Sequence, residues 1–246
     1  MNMGMIYPIS GGTRLKAIPK VTREIEPMQS TLNREELRHF YDRFGRKQDK
    51  QGFYEDRALA ALIRNSAFAD AGSVFEIGCG TGRLAAQLLS DHLPSSARYV
   101  GIDLSATMVE LASQCLAPWT GRADVHQTTG DFDFSSYGGP FERIVSTYVF
   151  DLLSPADIDA ALAGAHAVAA KGGLLCVAGV TEGVGLLSRA TSRVWELVHK
   201  LKPSIVGGCR PIVLTDFISE CHWRIVHREV VVAATVPSEV IIAEAL

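Results

Sequence analysis

A chain of 246 residues with a net charge of −3 and a pI near 6.2 has the length of one α/β domain and lacks the basic balance that a nucleic-acid footprint would call for. An apolar fraction of 47%, with ten Phe and three Trp, is ample for a sizeable core, and no apolar run reaches the ~20 residues of a membrane span. The N-terminus shows no signal-peptide pattern, and the five cysteines (79, 115, 176, 209 and 221) form no C-x-x-C pair, so a soluble cytoplasmic protein with no metal site is expected.

Residues 1–30 mix Gly, Pro and scattered charge without periodicity and read as a flexible arm. Asn33 and Glu36 have capping-box spacing, and Leu37, Phe40, Tyr41 and Phe44 fall at i, i+3, i+4 and i+7, which predicts a helix. A second helix places Leu59, Leu62 and Ile63 on one face and ends before Gly72. Val74, Phe75 and Ile77 then predict a strand over 74–77. Glycines follow at 78, 80 and 82, and a helix over about 82–90 carries Leu84, Leu88 and Leu89. A strand, glycine loop and helix in this order let a ligand approach bare backbone at a helix N-terminus. Glu76, inside the strand end, needs a partner, because burying an unpaired charge costs several kcal/mol or more. The dinucleotide pattern G-x-G-x-x-G would require a third glycine where Arg83 stands.

A second strand over 98–103 closes on Asp103, and Ser105 caps a helix carrying Met108, Val109, Leu111 and Ala112. A third strand at about 124–128 leads to Gly130-Asp131-Phe132, and a fourth covers 141–148. Ser154, Pro155 and Asp157 open a helix that Ile158, Leu162, Ala165 and Ala169 continue to a C-cap signature at Lys171-Gly172-Gly173. The fifth strand, 174–180, is continuously apolar, as a strand covered on both faces should be. Helix is expected over 186–201, with Leu187, Val194, Leu197, Val198 and Leu201 in phase. A glycine-punctuated loop over 202–211, a short helix over 215–220, and strands over 223–233 and 240–243 joined around Pro237 complete the chain. Alternating strands and helices predict a parallel sheet with right-handed crossovers, and the last two strands a hairpin.

The pattern acid-x-G-x-G-x-G from Glu76 to Gly82 resembles motif I of the class I methyltransferases that use S-adenosyl-L-methionine (SAM), and the resemblance extends from about residue 33 to the C-terminus. It implies an α/β, Rossmann-like methyltransferase fold: a seven-stranded, mostly parallel sheet with helices on both faces and strand seven antiparallel beside strand five. It implies one domain over 31–246 with N-terminal lid helices over 31–70. The implied cofactor is SAM. Gly78, Cys79, Gly80 and Gly82 would pass close to its methionine part and ribose, and Asp103 would accept both ribose hydroxyls. Asp131 would take a hydrogen bond from the adenine amino group, with Phe132 and Met108 against the ring. Glu76, Leu104, Gly130 and Ser146 complete the implied set, and Tyr41 would contact the methionine end.

Strand four ends in Ser146-Thr147-Tyr148-Val149-Phe150-Asp151, without the Asn/Asp-Pro-Pro-aromatic motif of base-amino methyltransferases or the Pro-Cys pair of cytosine C5 methylation. With the acidic pI, this implies a small-molecule methyl acceptor, apolar or aromatic, and no nucleic acid. Tyr148 and Asp151 are the candidate catalytic residues. Tyr41-Asp42 resembles the segment before motif I in quinone-biosynthesis methyltransferases, whereas their arginine–asparagine feature after strand four is replaced here by Asp151-Leu152. The loop Gly207-Gly208-Cys209-Arg210 has no family counterpart. A nicotinamide-dependent oxidoreductase and a non-catalytic SAM-binding module are the alternatives, and a homodimer is left open.

Overall fold

The computed structural model describes residues 31–246, and the arm expected over residues 1–30 lies outside the described residues. The first helix, α1 (Arg34–Phe44), begins as its sequence dictates. The Asn33 side chain accepts from the Glu36 N–H at 2.9 Å, and the Glu36 carboxylate accepts from the Asn33 N–H at 2.8 Å. A 3-10 turn over Gly45–Gln51 leads into α2 (Gly52–Asn65). Then follow β1 (Ser73–Ile77), α3 (Arg83–Gln87), β2 (Arg98–Asp103), α4 (Ala106–Cys115), β3 (Ala123–Gln127) and β4 (Phe141–Thr147). The chain closes with α5 (Pro155–Val168), β5 (Ala169–Val180), α6 (Leu186–Leu201), β6 (Trp223–Ala233) and β7 (Val236–Ala245).

The seven strands form one sheet in the order β3-β2-β1-β4-β5-β7-β6. β1 to β5 are parallel, and β7 lies antiparallel between β5 and β6, as the family resemblance implies. Successive side chains leave a strand on opposite faces. Val74, Val145 and Cys176 therefore join α2 and α3 in one buried cluster, while Phe75, Ile144 and Leu175 join α5 in the other. Burying each large apolar side chain contributes about 1.5–3 kcal/mol. The ends of β1, β2 and β4 thus sit on a rigid frame, which is where ligands bind in open α/β sheets.

Several local expectations are corrected. The helix after β1 is α-helical only to Gln87 and continues as a π turn over Leu88–His92. α5 stops at Val168, and Gly172-Gly173 is not its cap. Ala169 already pairs with Phe141, and the register then jumps to Arg143 opposite Leu174, so residues 170–173 bulge from β5 with Gly172 at φ +73°. The helix expected over 215–220 is only a 3-10 turn at Leu214–Asp216. The final hairpin turns at Ala234 and Thr235, whose positive φ values (47° and 70°) meet the requirement of a two-residue type I′ turn, while Pro237 lies inside β7.

The largest correction concerns α6. Its apolar residues are in phase, but that face points to solvent: Leu187, Val194, Leu197 and Leu201 are all exposed. Ser188, Ser192 and His199 face the body of the protein instead. Ser192 Oγ bonds the carbonyls of Thr181 and Ser188, and Trp195 Nε1 donates to the Cys209 carbonyl at 2.9 Å. No helix among the described residues is long and apolar enough to cross a membrane.

Replacing Leu197 with serine is expected to change stability by no more than about 0.5 kcal/mol, the usual range for surface substitutions. Leu62→Ala, at a fully buried site, is expected to cost about 2–5 kcal/mol. Thermal melts of the two variants check the orientation of α6; a multi-kcal/mol loss in Leu197→Ser would place that face in the core.

Candidate active site

The glycine loop is shaped by backbone demands. Gly78 and Gly80 take φ values of +77° and +53°, which L side chains adopt only with strain. A Cβ at Gly78 would lie 2.3 Å from Val149 Cγ2, and one at Gly80 would lie 3.1 Å from the Gln48 amide. The N–H groups of Gly78 and Cys79 both donate to the Ile102 carbonyl, at 2.8 and 2.9 Å, stitching the loop to β2. Gly80 donates instead to Asp103 Oδ2 at 2.9 Å, and Ser105 N–H donates to Asp103 Oδ1 at 2.9 Å. Burial pushes the Asp103 carboxyl up to about 6, against the pull of these backbone donors. The partner that Glu76 requires is Tyr99, whose hydroxyl donates to its carboxylate at 2.6 Å. Burial nevertheless raises Glu76 to about 7.

Two cavities open over this loop. The larger, about 400 Å³, runs from Asp103, Leu104, Gly130 and Phe132 past Gly78 to Tyr41, Tyr148 and Leu152. The smaller, about 40 Å³, lies over Glu76, Cys79, Gly80 and Arg83. Gln48, Gly78, Thr147 and Tyr148 border both. The Gln48 side-chain oxygen is buried there without a hydrogen-bond partner. An unsatisfied buried acceptor beside bare glycine backbone and a strand-end carboxylate is what a polar, hydroxyl-bearing ligand would complete.

The N-terminal helices roof the site. Asn33, Arg34, Leu37 and Tyr41 line the larger cavity. Asp42 accepts from Ser105 Oγ at 2.6 Å, tying α1 to the start of α4, and Thr81 Oγ1 donates to Asp49 at 2.7 Å over the glycine loop. The Arg34 guanidinium lies 5.4 Å from the Phe132 ring centroid and pairs with Asp157 at 3.0 Å across the cavity mouth.

Other residues expected in the site border neither cavity. Asp131 folds back on its own loop, accepting from Thr129 Oγ1 and the Asp133 N–H. Met108 is buried in the fold, Gly82 packs its α-carbon side against Ala112, and Ser146 Oγ donates to the Ile77 carbonyl at 3.1 Å. Asp151 is fully buried behind the cavity, with Oδ2 accepting from the Val180 N–H at 3.1 Å and Oδ1 unpartnered. Burial raises it to about 6 despite the nearby Arg210. Tyr148 lines both cavities, but its hydroxyl is bonded to Ser238 at 2.9 Å, and burial drives its pKa upward. Neither group is presented as a free base. Conversely, Gln48, Arg34 and Val149 are in the site without having been singled out in the sequence; Gln48 lies in a polar run that offers no signal of its own.

Glu55, Glu76, Asp103 and Asp151 all have carboxyls raised by burial, to about 6 or 7. A raised folded-state value contributes stability that is complete below the unfolded value and is lost as pH rises through the folded one. Glu76→Gln retains an acceptor for Tyr99 and removes one such titration. Its Tm relative to the wild type should therefore increase from pH 5 to pH 8; a constant or falling difference would contradict the buried-carboxyl assignment.

Residues 74–173 match a family model described as a methyltransferase domain. A tRNA(Thr) (cytosine(32)-N(3))-methyltransferase of Saccharomyces cerevisiae is 28% identical over 140 residues, covering 52% of this chain and 22% of that protein. An uncharacterized methyltransferase of Bacillus mycoides is 32% identical over 149 residues, covering 58% of this chain and 64% of that one, so the chain spans less than two thirds of either relative. Among solved structures, a SAM-dependent methyltransferase of Methanosarcina mazei superposes with a TM-score of 0.59 at 17% identity, covering 75% of this chain and 97% of that one. Residues 74–173 are thus similar to a methyltransferase domain, and the chain shares its fold with that SAM-dependent methyltransferase.

Proposed function

We propose that the protein transfers a methyl group from SAM to a small, apolar or aromatic acceptor, leaving S-adenosyl-L-homocysteine. The observation that carries this reading is the single cavity of about 400 Å³ that joins Asp103, Gly130 and Phe132 to a wall of Leu37, Tyr41, Tyr148 and Leu152. One end offers a carboxylate and bare backbone for a nucleoside, and the other offers apolar and aromatic surface edged by Asn33, Arg34 and Asp157, a lining suited to a small molecule.

When bound, SAM supplies an already activated methyl group on a sulfonium. The chain's residues then have to orient and enclose. Asp103 accepts the ribose hydroxyls with the lone pairs its backbone donors leave free. Gly78 and Gly80 keep side chains out of the methionine path, and Gln48 offers its unpartnered oxygen beside it. Leu104 and Phe132 flank the base. α1 acts as a lid, with Tyr41 and Leu37 positioning the acceptor and excluding water, which lowers the barrier through proximity. Tyr148 serves as a wall, its hydroxyl remaining with Ser238.

Calorimetric titration tests the donor site. The wild type should bind SAM and not NAD, and Asp103→Ala should lose roughly 1.5–3 kcal/mol of binding, the range for hydrogen bonds to a charged group, while retaining a cooperative melt. Undiminished affinity in that variant would remove Asp103 from the site. Product mass spectrometry with phenols, quinols, amines and a tRNA mixture tests the acceptor; the yeast relative makes the last arm necessary. Methylation confined to tRNA would refute the small-molecule reading. On an accepted substrate, Tyr41→Ala should slow turnover on the order of tenfold to a hundredfold through lost positioning. A full rate would show that α1 is no part of the acceptor site.

A further inference from the structure

The outward face of α6 is an apolar surface with no partner among the described residues. Leu186, Leu187, Val194, Leu197, Leu201 and the nearby Ile205 are each between 57% and 87% exposed. The helix's polar residues, Ser188, Ser192 and His199, are the ones turned inward, and Ser192 and Trp195 are committed to internal hydrogen bonds. Rotating the helix to bury its leucines would break those bonds, so the exposure is built into the packing. A contiguous apolar stripe of this kind marks an interaction surface.

The charge beside the stripe selects its occupant. Residues 186–202 carry four basic residues and one acid, in a chain whose net charge is −3. Helical spacing puts Arg189, Arg193 and Lys200 along one edge of the leucine stripe, with Glu196 among them in an ion pair with Lys200 at 2.9 Å. An antiparallel two-fold pairing of α6 with itself would bring this edge, three cations to one acid, against its own copy, a net like-charge contact. Residues 1–30 hold four basic and two acidic residues, so they share the sign of the edge and are also disfavoured as its cover. A surface that takes leucines and presents negative charge beside them satisfies both halves of the face. We infer that α6 is an interfacial helix that docks the protein on the anionic surface of a lipid bilayer, its leucines in the headgroup region and its basic edge on the acidic lipids.

The inference is independent of the methyl acceptor and is read without one. The probe is vesicles of phosphatidylcholine with phosphatidylglycerol, against vesicles of phosphatidylcholine alone, and the reading is co-sedimentation of the full chain. The wild type should sediment with the anionic vesicles, remain free with the neutral ones, and be released by added salt. The triple variants Leu187→Ser/Leu197→Ser/Leu201→Ser and Arg189→Gln/Arg193→Gln/Lys200→Gln should each bind on the order of a hundredfold more weakly, with melting curves like that of the wild type. Failure of the wild type to bind anionic vesicles overturns the inference, as does binding by either variant as tight as that of the wild type. A dimer in sedimentation velocity that the serine variant splits into monomers also overturns it, by assigning the face to a second copy of the chain.

Discussion

The site depends on where one carboxylate is held. Asp103 ends β2 and accepts from Gly80 in the glycine loop and from Ser105 at the start of α4. Ser105 passes the connection on by donating to Asp42 of α1. One continuous set of hydrogen bonds therefore joins the loop after β1, the end of β2, the capped start of α4 and the helix over the cavity. A carboxylate set this deep is expensive to keep ionised, which is why its pKa rises to about 6, and two backbone donors offset only part of that cost. Hydroxyl donors from a ribose would complete its coordination. The features that make Asp103 unfavourable alone are the ones that the proposed ribose contact would relieve.

Much of this frame was legible in the sequence because its signals are local. Asn33 with Glu36, and the caps at Ser105 and Ser154, obey backbone rules that need no tertiary information, and all three helices start where those residues stand. The glycine spacing around Gly78 and Gly80 reflects positive φ values that the chain must adopt to turn from β1. The place of the last strand, antiparallel beside the fifth, came from the family resemblance, since periodicity identifies strands without pairing them.

What escaped was set by distant partners. Periodicity shows which residues of α6 share a face, but the inward choice was made by the Thr181 and Cys209 carbonyls, which bond Ser192 and Trp195. Gly172-Gly173 looks like a helix cap until Phe141 claims Ala169 for the sheet. Ala234 and Thr235 carry no turn signal, yet the pairing of β6 with β7 holds both at positive φ, with Thr235 bonded to Thr191 of α6. In the site, Asp131 has the expected place in the chain but turns to its own loop, and Tyr148 and Asp151 find buried partners in Ser238 and Val180. Gln48 reaches the cavity only because Asp49, Thr81 and the Arg83 pairs with Glu55 and Asp56 pull the segment before α2 onto the glycine loop.

If the space between the glycine loop and Asp103 is a nucleoside site, as proposed, it must seat a ribose at the end of β2. A crystal structure of the protein with S-adenosyl-L-homocysteine tests it directly. Both ribose hydroxyls should lie about 2.7–3.2 Å from the Asp103 carboxylate oxygens, with the base between Leu104 and Phe132. A ribose held at any other strand end, or a ligand found outside this cavity, would contradict it.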